Sequence, residues 1–231
     1  MLPLIIIRPE PGAQATCEAA RAMGLEAQSF PLFAVRPLDW QPPARETVDA
    51  VLLGSANALR HGGAALDLYR GLPAYAVGER TAEAAREAGL DVILTGSAGL
   101  QEMLDRIDPA HRRLLRLAGR DRVKLDVPPR LSITTRDVYA SEALPLPAAL
   151  SAILRGPAVI LLHSGQAAAH FAQALAGAGI GRAKIRLAAL APRIAAAAGT
   201  GWAALATAPN PDDAALLALA RDLCQGFTPG S

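Results

Sequence analysis

Two cysteines, four histidines and no long apolar run among 231 residues exclude several classes at the outset. Cys17 and Cys224 sit at opposite ends of the chain inside helical patterns, with no C-x-x-C spacing, and read as buried, inert thiols. His61, His111, His163 and His170 never fall into H-x-x-x-H or H-E-x-x-H, so no dedicated metal site is expected. No stretch approaches the roughly 20 apolar residues of a membrane-spanning helix. The first run, "LPLIII", is short and is followed at once by Arg8 and Pro9, without a basic leader or a small-residue cleavage site. It reads as a buried strand of a cytoplasmic protein. Nucleotide signatures are missing too: neither G-x-G-x-x-G nor G-x-x-x-x-G-K-[ST] follows a strand, and no serine stands in G-x-S-x-G. Adjacent His163 and Ser164 point in different directions at a strand end and make a poor catalytic dyad.

What is present is a chain with 52% hydrophobic residues, many of them alanine, and a net charge of only +2. That balance argues against a generally basic nucleic-acid binder and for close-packed helices. The charge is uneven. Residues 112–136 carry Arg112, Arg113, Arg116, Arg120, Arg122, Lys124, Arg130 and Arg136 against Asp121 and Asp126, a local charge of +6. A solvated face and a cleft lined for an anion both account for it.

Apolar runs of four to six residues alternate with segments of helical period. Strands are expected at 4–8, 26–30, 50–53, 74–77, 92–94, 114–117, 133–139, 158–162, 185–190 and 203–206, and helices at 11–23, 79–88, 100–107, 166–176, 192–198 and 212–224. This alternation predicts an α/β protein with parallel sheets flanked by helices. "FPLFAVRPLDWQPPA" (30–44) and "SITTRDVYASEALPLP" (132–147) break the rhythm as extended, proline-bearing stretches. Read as a two-stranded linker, they divide the chain into a discontinuous domain, residues 1–36 plus 138–231, and an inserted domain, residues 37–137. An internal repeat agrees: "DAVLLGSANAL" resembles "PAVILLHSGQAA", with Ser55 matching Ser164. Arg80 then matches Arg193, and Thr95 matches Thr207, at a nearly constant offset. Two similar domains with a cleft between them are therefore expected.

Five turns between strand and helix carry anion-compatible groups: "GSAN" (54–57), "GERT" (78–81), "AGRDR" (118–122), "HSGQ" (163–166) and "APR" (191–193). A helix N-terminus offers unpartnered N–H groups and partial positive charge, although Ser, Asn and Thr are also ordinary caps. Ligands of open α/β sheets bind at that edge.

The GSAN turn after "AVLL", the "VGERTA…AGLDV" block, "LRLAGRDR", the "TTRDVYAS" strand ending near Tyr139, and "VILLHS…AAAHF" occur in an order and spacing that resemble the uroporphyrinogen-III synthases, over nearly the whole chain. The resemblance implies two domains joined by a β ladder, an active site between them and no metal or cofactor. The implied substrate is hydroxymethylbilane, a linear tetrapyrrole with eight carboxylates, cyclised with inversion of ring D through a spiro intermediate. It further implies a monomer that binds neither nucleic acid nor membrane, and raises one protein partner, a transient contact with the upstream hydroxymethylbilane synthase.

Carried over residue by residue, the family pattern implies substrate binding by Ser55, Thr81, Gly119 and Ser164, and places Tyr139 in the linker, where it either assists departure of the hydroxyl or packs the linker as an aromatic. Asn57 and Gly78 belong to the same turns, and Arg8, Arg120, Arg122 and Arg193 are added by charge. Ile194 stands where the family often has Thr, and Gly165-Gln166 replaces a more usual Pro or Ser pair. A two-lobed, non-enzymatic small-anion-binding protein shares these features, apart from turnover.

Overall fold

Val51-Leu52-Leu53 and Val159-Ile160-Leu161 are apolar on both sides of the strand, which suits only a sheet covered on both faces. The computed structural model, which describes residues 1–226, builds two such sheets. In chain order the elements are β1 (Leu4–Ile6), α1 (Gly12–Ala22), β2 (Ala27–Ser29), β3 (Phe33–Pro37), β4 (Ala50–Leu53), α2 (Asn57–Arg60), β5 (Pro73–Val77), α3 (Glu79–Glu87), β6 (Asp91–Gly96), α4 (Leu100–Leu104), β7 (Arg113–Gly119), β8 (Ser132–Ala143), α5 (Ala148–Ile153), β9 (Ala158–Leu162), α6 (Gly165–Gly177), β10 (Ile185–Ala189), α7 (Pro192–Ala198), β11 (Ala204–Thr207) and α8 (Asp213–Cys224). The chain divides into a discontinuous unit, Met1–Ala34 with Glu142–Ser231, and an inserted unit, Val35–Ser141.

The discontinuous unit holds a sheet of order β11-β10-β9-β1-β2, parallel throughout. Alternation along the strands sorts its core into two layers. Ile5, Ile160 and Leu187 pack on the face that meets Phe171 and Leu175 of α6. Leu4, Ile6, Val159 and Leu161 pack on the other, against Cys17 of α1 and Leu216 of α8. Each fully buried aliphatic side chain contributes about 1.5–3 kcal/mol. Two helix starts are capped as their sequences suggest: Ser164 Oγ accepts from Ala167 N at 3.1 Å, and Asp212 Oδ1 accepts from Ala215 N at 2.8 Å.

The inserted unit holds a sheet of order β3-β8-β7-β4-β5-β6. From β8 to β6 it is parallel. The two linker stretches pair with one another, as β3 and β8, with β3 at the edge of this sheet and β8 next to it. Leu38 N donates to Val138 O and Leu144 N to Leu32 O, so numbers rise along one strand as they fall along the other, and the pair is antiparallel. The parallel sheet expected of this unit is thus extended by one antiparallel edge strand.

Both sheets share one order, with β7, β8, β4, β5 and β6 of the inserted unit standing where β1, β2, β9, β10 and β11 stand in the discontinuous unit. The repeat read from the sequence lies on these equivalents: Ser55 and Ser164 follow β4 and β9, Arg80 and Arg193 are the second residues of α3 and α7, and Thr95 and Thr207 lie in β6 and β11. One element breaks the correspondence. Between β1 and β2 the chain forms α1, whereas residues 120–131, between β7 and β8, contain no helix.

Candidate functional site

Parallel strands deliver their C-terminal ends to one edge of a sheet, and the inserted unit uses this edge. β4 leads into Gly54-Ser55, β5 into Gly78, and β7 ends at Gly119. A cavity of about 410 Å³ opens there, lined by Gly54, Ser55, Gly119, Arg122 and Tyr139 together with Arg116. Val77, Leu100, Leu117 and Leu125 supply apolar walls. A second hollow of about 550 Å³ shares Arg116 and Arg122 and adds Arg120, Lys124 and Asp137.

Gly119 and Tyr139 are register partners on β7 and β8, brought opposite one another by an irregularity between Ala118 and Gly119. The tyrosine ring lies across the glycine. A Cβ at Gly119 would stand 2.7 Å from Tyr139 Cε2 and 3.0 Å from its hydroxyl oxygen, so only glycine admits the ring. Arg120 N donates to Tyr139 O at 2.9 Å and closes the pair. The ring also lies near His61, centroid to centroid at 6.3 Å. Burial, and secondarily Arg60, push the His61 pKa below the ordinary imidazole value.

The other expected residues of this unit lie around the cavity without lining it. Ser55, which does line it, accepts a hydrogen bond from Asn57 N at 3.2 Å and shapes the turn into α2. Asn57 Oδ1 is 3.4 Å from Arg60 Nη1. Gly78 has φ of +79°, a region barred to other residues, and no heavy atom lies within 4 Å of where its Cβ would be. Its role is the sharp turn into α3 rather than a close approach. Thr81 is buried in the first turn of that helix. The "AGRDR" segment, expected at a helix start, leads into the helix-free residues 120–131. There Arg122 Nη1 pairs with Asp137 and also donates to Gly119 O and Arg120 O, while Arg120 is exposed.

In the discontinuous unit Arg8, Ser164 and Arg193 have different surroundings. Arg8 is held within the fold: Nη1 donates to Asp213 Oδ2 at 2.9 Å and to Thr16 Oγ1 at 3.2 Å. His163 Nε2 lies 3.4 Å from Asp213 Oδ1, and both ring nitrogens are buried without a formed hydrogen bond. Burial, opposed by Asp213, holds His163 below its ordinary pKa, and the neighbouring His163 and Arg8 hold Asp213 down at about 2. Ser164 is consumed as the cap of α6. Arg193 is exposed near the start of the short α7.

The structure also sorts the basic run 112–136. Arg113 pairs with Asp49 at 2.6 Å, Arg122 with Asp137, and Arg130 and Arg136 donate to backbone carbonyls of Leu104 and Gln41. Arg116 was missed as a site residue. It is 7% exposed on central strand β7, its Nη2 donates to Val123 O at 3.0 Å, and its Nε is buried without a partner. The signal was available in "LLRLAG": an arginine inside an otherwise apolar parallel strand is out of place unless it has a task.

Among the described residues no cluster of His, Cys, Asp and Glu could hold a metal ion, and no helix is long and apolar enough to cross a membrane. The chain matches no protein of the curated set. Among solved structures it is similar to uroporphyrinogen-III synthetase from Helicobacter pylori, with a TM-score of 0.65 and 15% identity over 96% of this chain and 100% of that one. It is also similar to a mutant uroporphyrinogen III synthase from the extremely thermophilic bacterium Thermus thermophilus, with a TM-score of 0.56 and 15% identity over 97% and 100%. These structural likenesses establish the fold. The family model described as "Uroporphyrinogen-III synthase HemD" matches residues 14–218, and on that match the chain belongs to the uroporphyrinogen-III synthase family.

Proposed function

We propose that this chain is a hydro-lyase that cyclises hydroxymethylbilane to uroporphyrinogen III, as a cytoplasmic monomer without a cofactor. The observation that carries the reading is the cavity that gathers Ser55, Gly119, Arg122 and Tyr139 in a chain matched by the family model. A cyclisation that proceeds slowly by itself needs no strong nucleophile. It needs one conformation of the substrate and help for a leaving hydroxyl.

In this reading the Tyr139 phenol donates a proton, directly or through water, as the carbon–oxygen bond of the terminal hydroxymethyl group breaks. Water leaves and an azafulvene-type cation remains. The substituted carbon of ring D attacks it to form the spiro intermediate. One carbon–carbon bond of the spiro centre then breaks and re-forms at the other position of the ring, which closes the macrocycle with ring D inverted. The proton released on rearomatisation balances the one delivered, so water is the only co-product. Ser55, the Gly119 turn and Arg122, which line the same cavity, hold the acid arms. Arg8, Asn57, Gly78, Thr81, Arg120, Ser164 and Arg193 complete the proposed set, with Gly78 and Ser164 acting through the turns they shape.

The test is isomer analysis. Fresh hydroxymethylbilane is supplied with and without the purified protein, and the oxidised products are separated. Dominance of uroporphyrin III is the expected result. Type I isomer alone, with folded protein present, overturns the synthase and leaves the two-lobed anion binder.

A further inference from the structure

The cavity of the inserted unit is lined by Arg116 of the "LRLAGRDR" motif, a residue to which the residue-by-residue reading gave no role. On β7, Leu115 and Leu117 face the layer that includes Val51 and Leu53, so Arg116 points to the opposite layer with Leu52 and Leu114. Positions on that face of a central strand are ordinarily aliphatic. In the discontinuous unit the equivalent crossover from β1 to β2 is α1, which covers the corresponding face with Ala13, Cys17 and Ala20. In the inserted unit residues 120–131 make the crossover without a helix, and Pro128-Pro129 within them disfavour one. Both hollows lie against this segment, and Arg116 lines both.

The charge of Arg116 is poorly compensated. Asp137, which lies near it, is paired with Arg122, and Asp121 also lines the cavity without an ion pair to Arg116 among the described residues. Val123 O is the acceptor Arg116 reaches, and Nε has none. Burial first, and Arg122 second, weaken its hold on the proton, opposed by Asp137 and Tyr139. A buried cation without a counter-ion is costly unless something completes it. A guanidinium fork fits a carboxylate. The apolar walls of Val77, Leu100 and Leu125 on the same side fit a flat ring that carries that carboxylate.

We propose that Arg116 is the anion anchor of this cavity, binding one carboxylate of an acid-bearing pyrrole ring in the space left by the missing crossover helix. The proposal deepens the synthase reading and rests on it for the identity of the ring. It differs from a structural role in one respect: an arginine kept for the fold destabilises the protein when removed, whereas an uncompensated one kept for a ligand does not.

The experiment uses the full chain with ¹⁵N-labelled arginine and porphobilinogen, a monopyrrole with one acetate and one propionate, as the probe. Arg116→Met identifies the Arg116 Nε resonance by its loss, and Arg116→Lys retains the charge should the Met variant fail to fold. The expected result is a saturable shift of that resonance. Affinity should fall about 10- to 100-fold in the Met variant, the range of charge-assisted hydrogen bonds, and by less in the Lys variant, with a denaturation midpoint for Met no lower than that of the parent. A resonance that stays still, an unchanged affinity, or a lower midpoint with unchanged affinity overturns the anchor. Failure of the synthase reading looks different: Arg116 responds to the probe while the parent protein yields only the type I isomer.

Discussion

Replacing Gly119 with alanine inserts one methyl group where Tyr139 already lies. The new Cβ would stand 2.7 Å from Cε2, 2.8 Å from Cζ and 3.0 Å from the hydroxyl oxygen. To regain a van der Waals contact of 3.4 Å from 2.7 Å, the ring must retreat by about 0.7 Å. Its neighbours resist. Tyr139 packs against the core layer of β4, β5 and α3, and its own backbone is tied to Arg120 N. Overpacking of this kind costs about 1–3 kcal/mol. For a chain of this size that is a fall of roughly 2–12 °C in the midpoint of the transition that unfolds the inserted unit. The assay is a double-mutant cycle by chemical denaturation. Gly119→Ala should cost its full amount with Tyr139 present and close to nothing in a Tyr139→Ala background, because the ring it collides with is gone. A coupling of about 1–3 kcal/mol is expected. Tyr139→Phe supplies the control, since Phe keeps the colliding ring carbons and should give no relief. Costs that simply add, within about 0.5 kcal/mol, would refute the contact between ring and glycine as the reason for this residue.

Two further outcomes can be checked. Tyr139→Phe should lower turnover of hydroxymethylbilane at least about tenfold, a modest value for a lost proton donor, while moving the denaturation free energy by less than about 0.5 kcal/mol; a parental rate removes Tyr139 from the mechanism. Asp49 accepts from Arg112 N, Arg113 N and the Arg113 guanidinium, and the Arg113 side-chain bond leads in holding its pKa down at about 2, below the ordinary 3.8. A depressed acid contributes stability above its unfolded value, and that contribution disappears as pH falls through its folded value. Asp49→Asn should therefore cost about 1 kcal/mol at pH 7, a figure reduced for screening at the partly exposed pair, and almost nothing near pH 2, as read from denaturation across that window; a pH-independent cost would show that the loss is not one of charge.

Much of the architecture was legible because parallel strands buried on both faces leave short apolar runs, and the helices between them carry a 3.6-residue period. Ala50–Leu53, Ala158–Leu162 and Pro192–Ala198 begin and end where the pattern does. Short elements escaped. Asn57–Arg60 is a single turn following a capped bend, and Ala148–Ile153 lies behind Pro145 and Pro147, where the extended linker pattern dominates. The "AGRDR" turn was misjudged because glycine and charge suit a helix start, whereas the prolines further on decide that none forms.

What the sequence by itself determined is the class of fold, the two-stranded connection and the presence of a repeat, since these follow from local hydrophobic period and composition. It also supplied the family motifs, including Tyr139 and Gly119 as separate residues. Only the tertiary structure put those two in contact, because the register between β7 and β8 and the irregularity at Ala118 set which residue faces which. Only the tertiary structure divided the basic run as well, pairing Arg113 and Arg122 and leaving Arg116 buried with no ion pair among the described residues. Charge in a sequence is a count, whereas its energy depends on distance and burial, which exist only after the chain has folded.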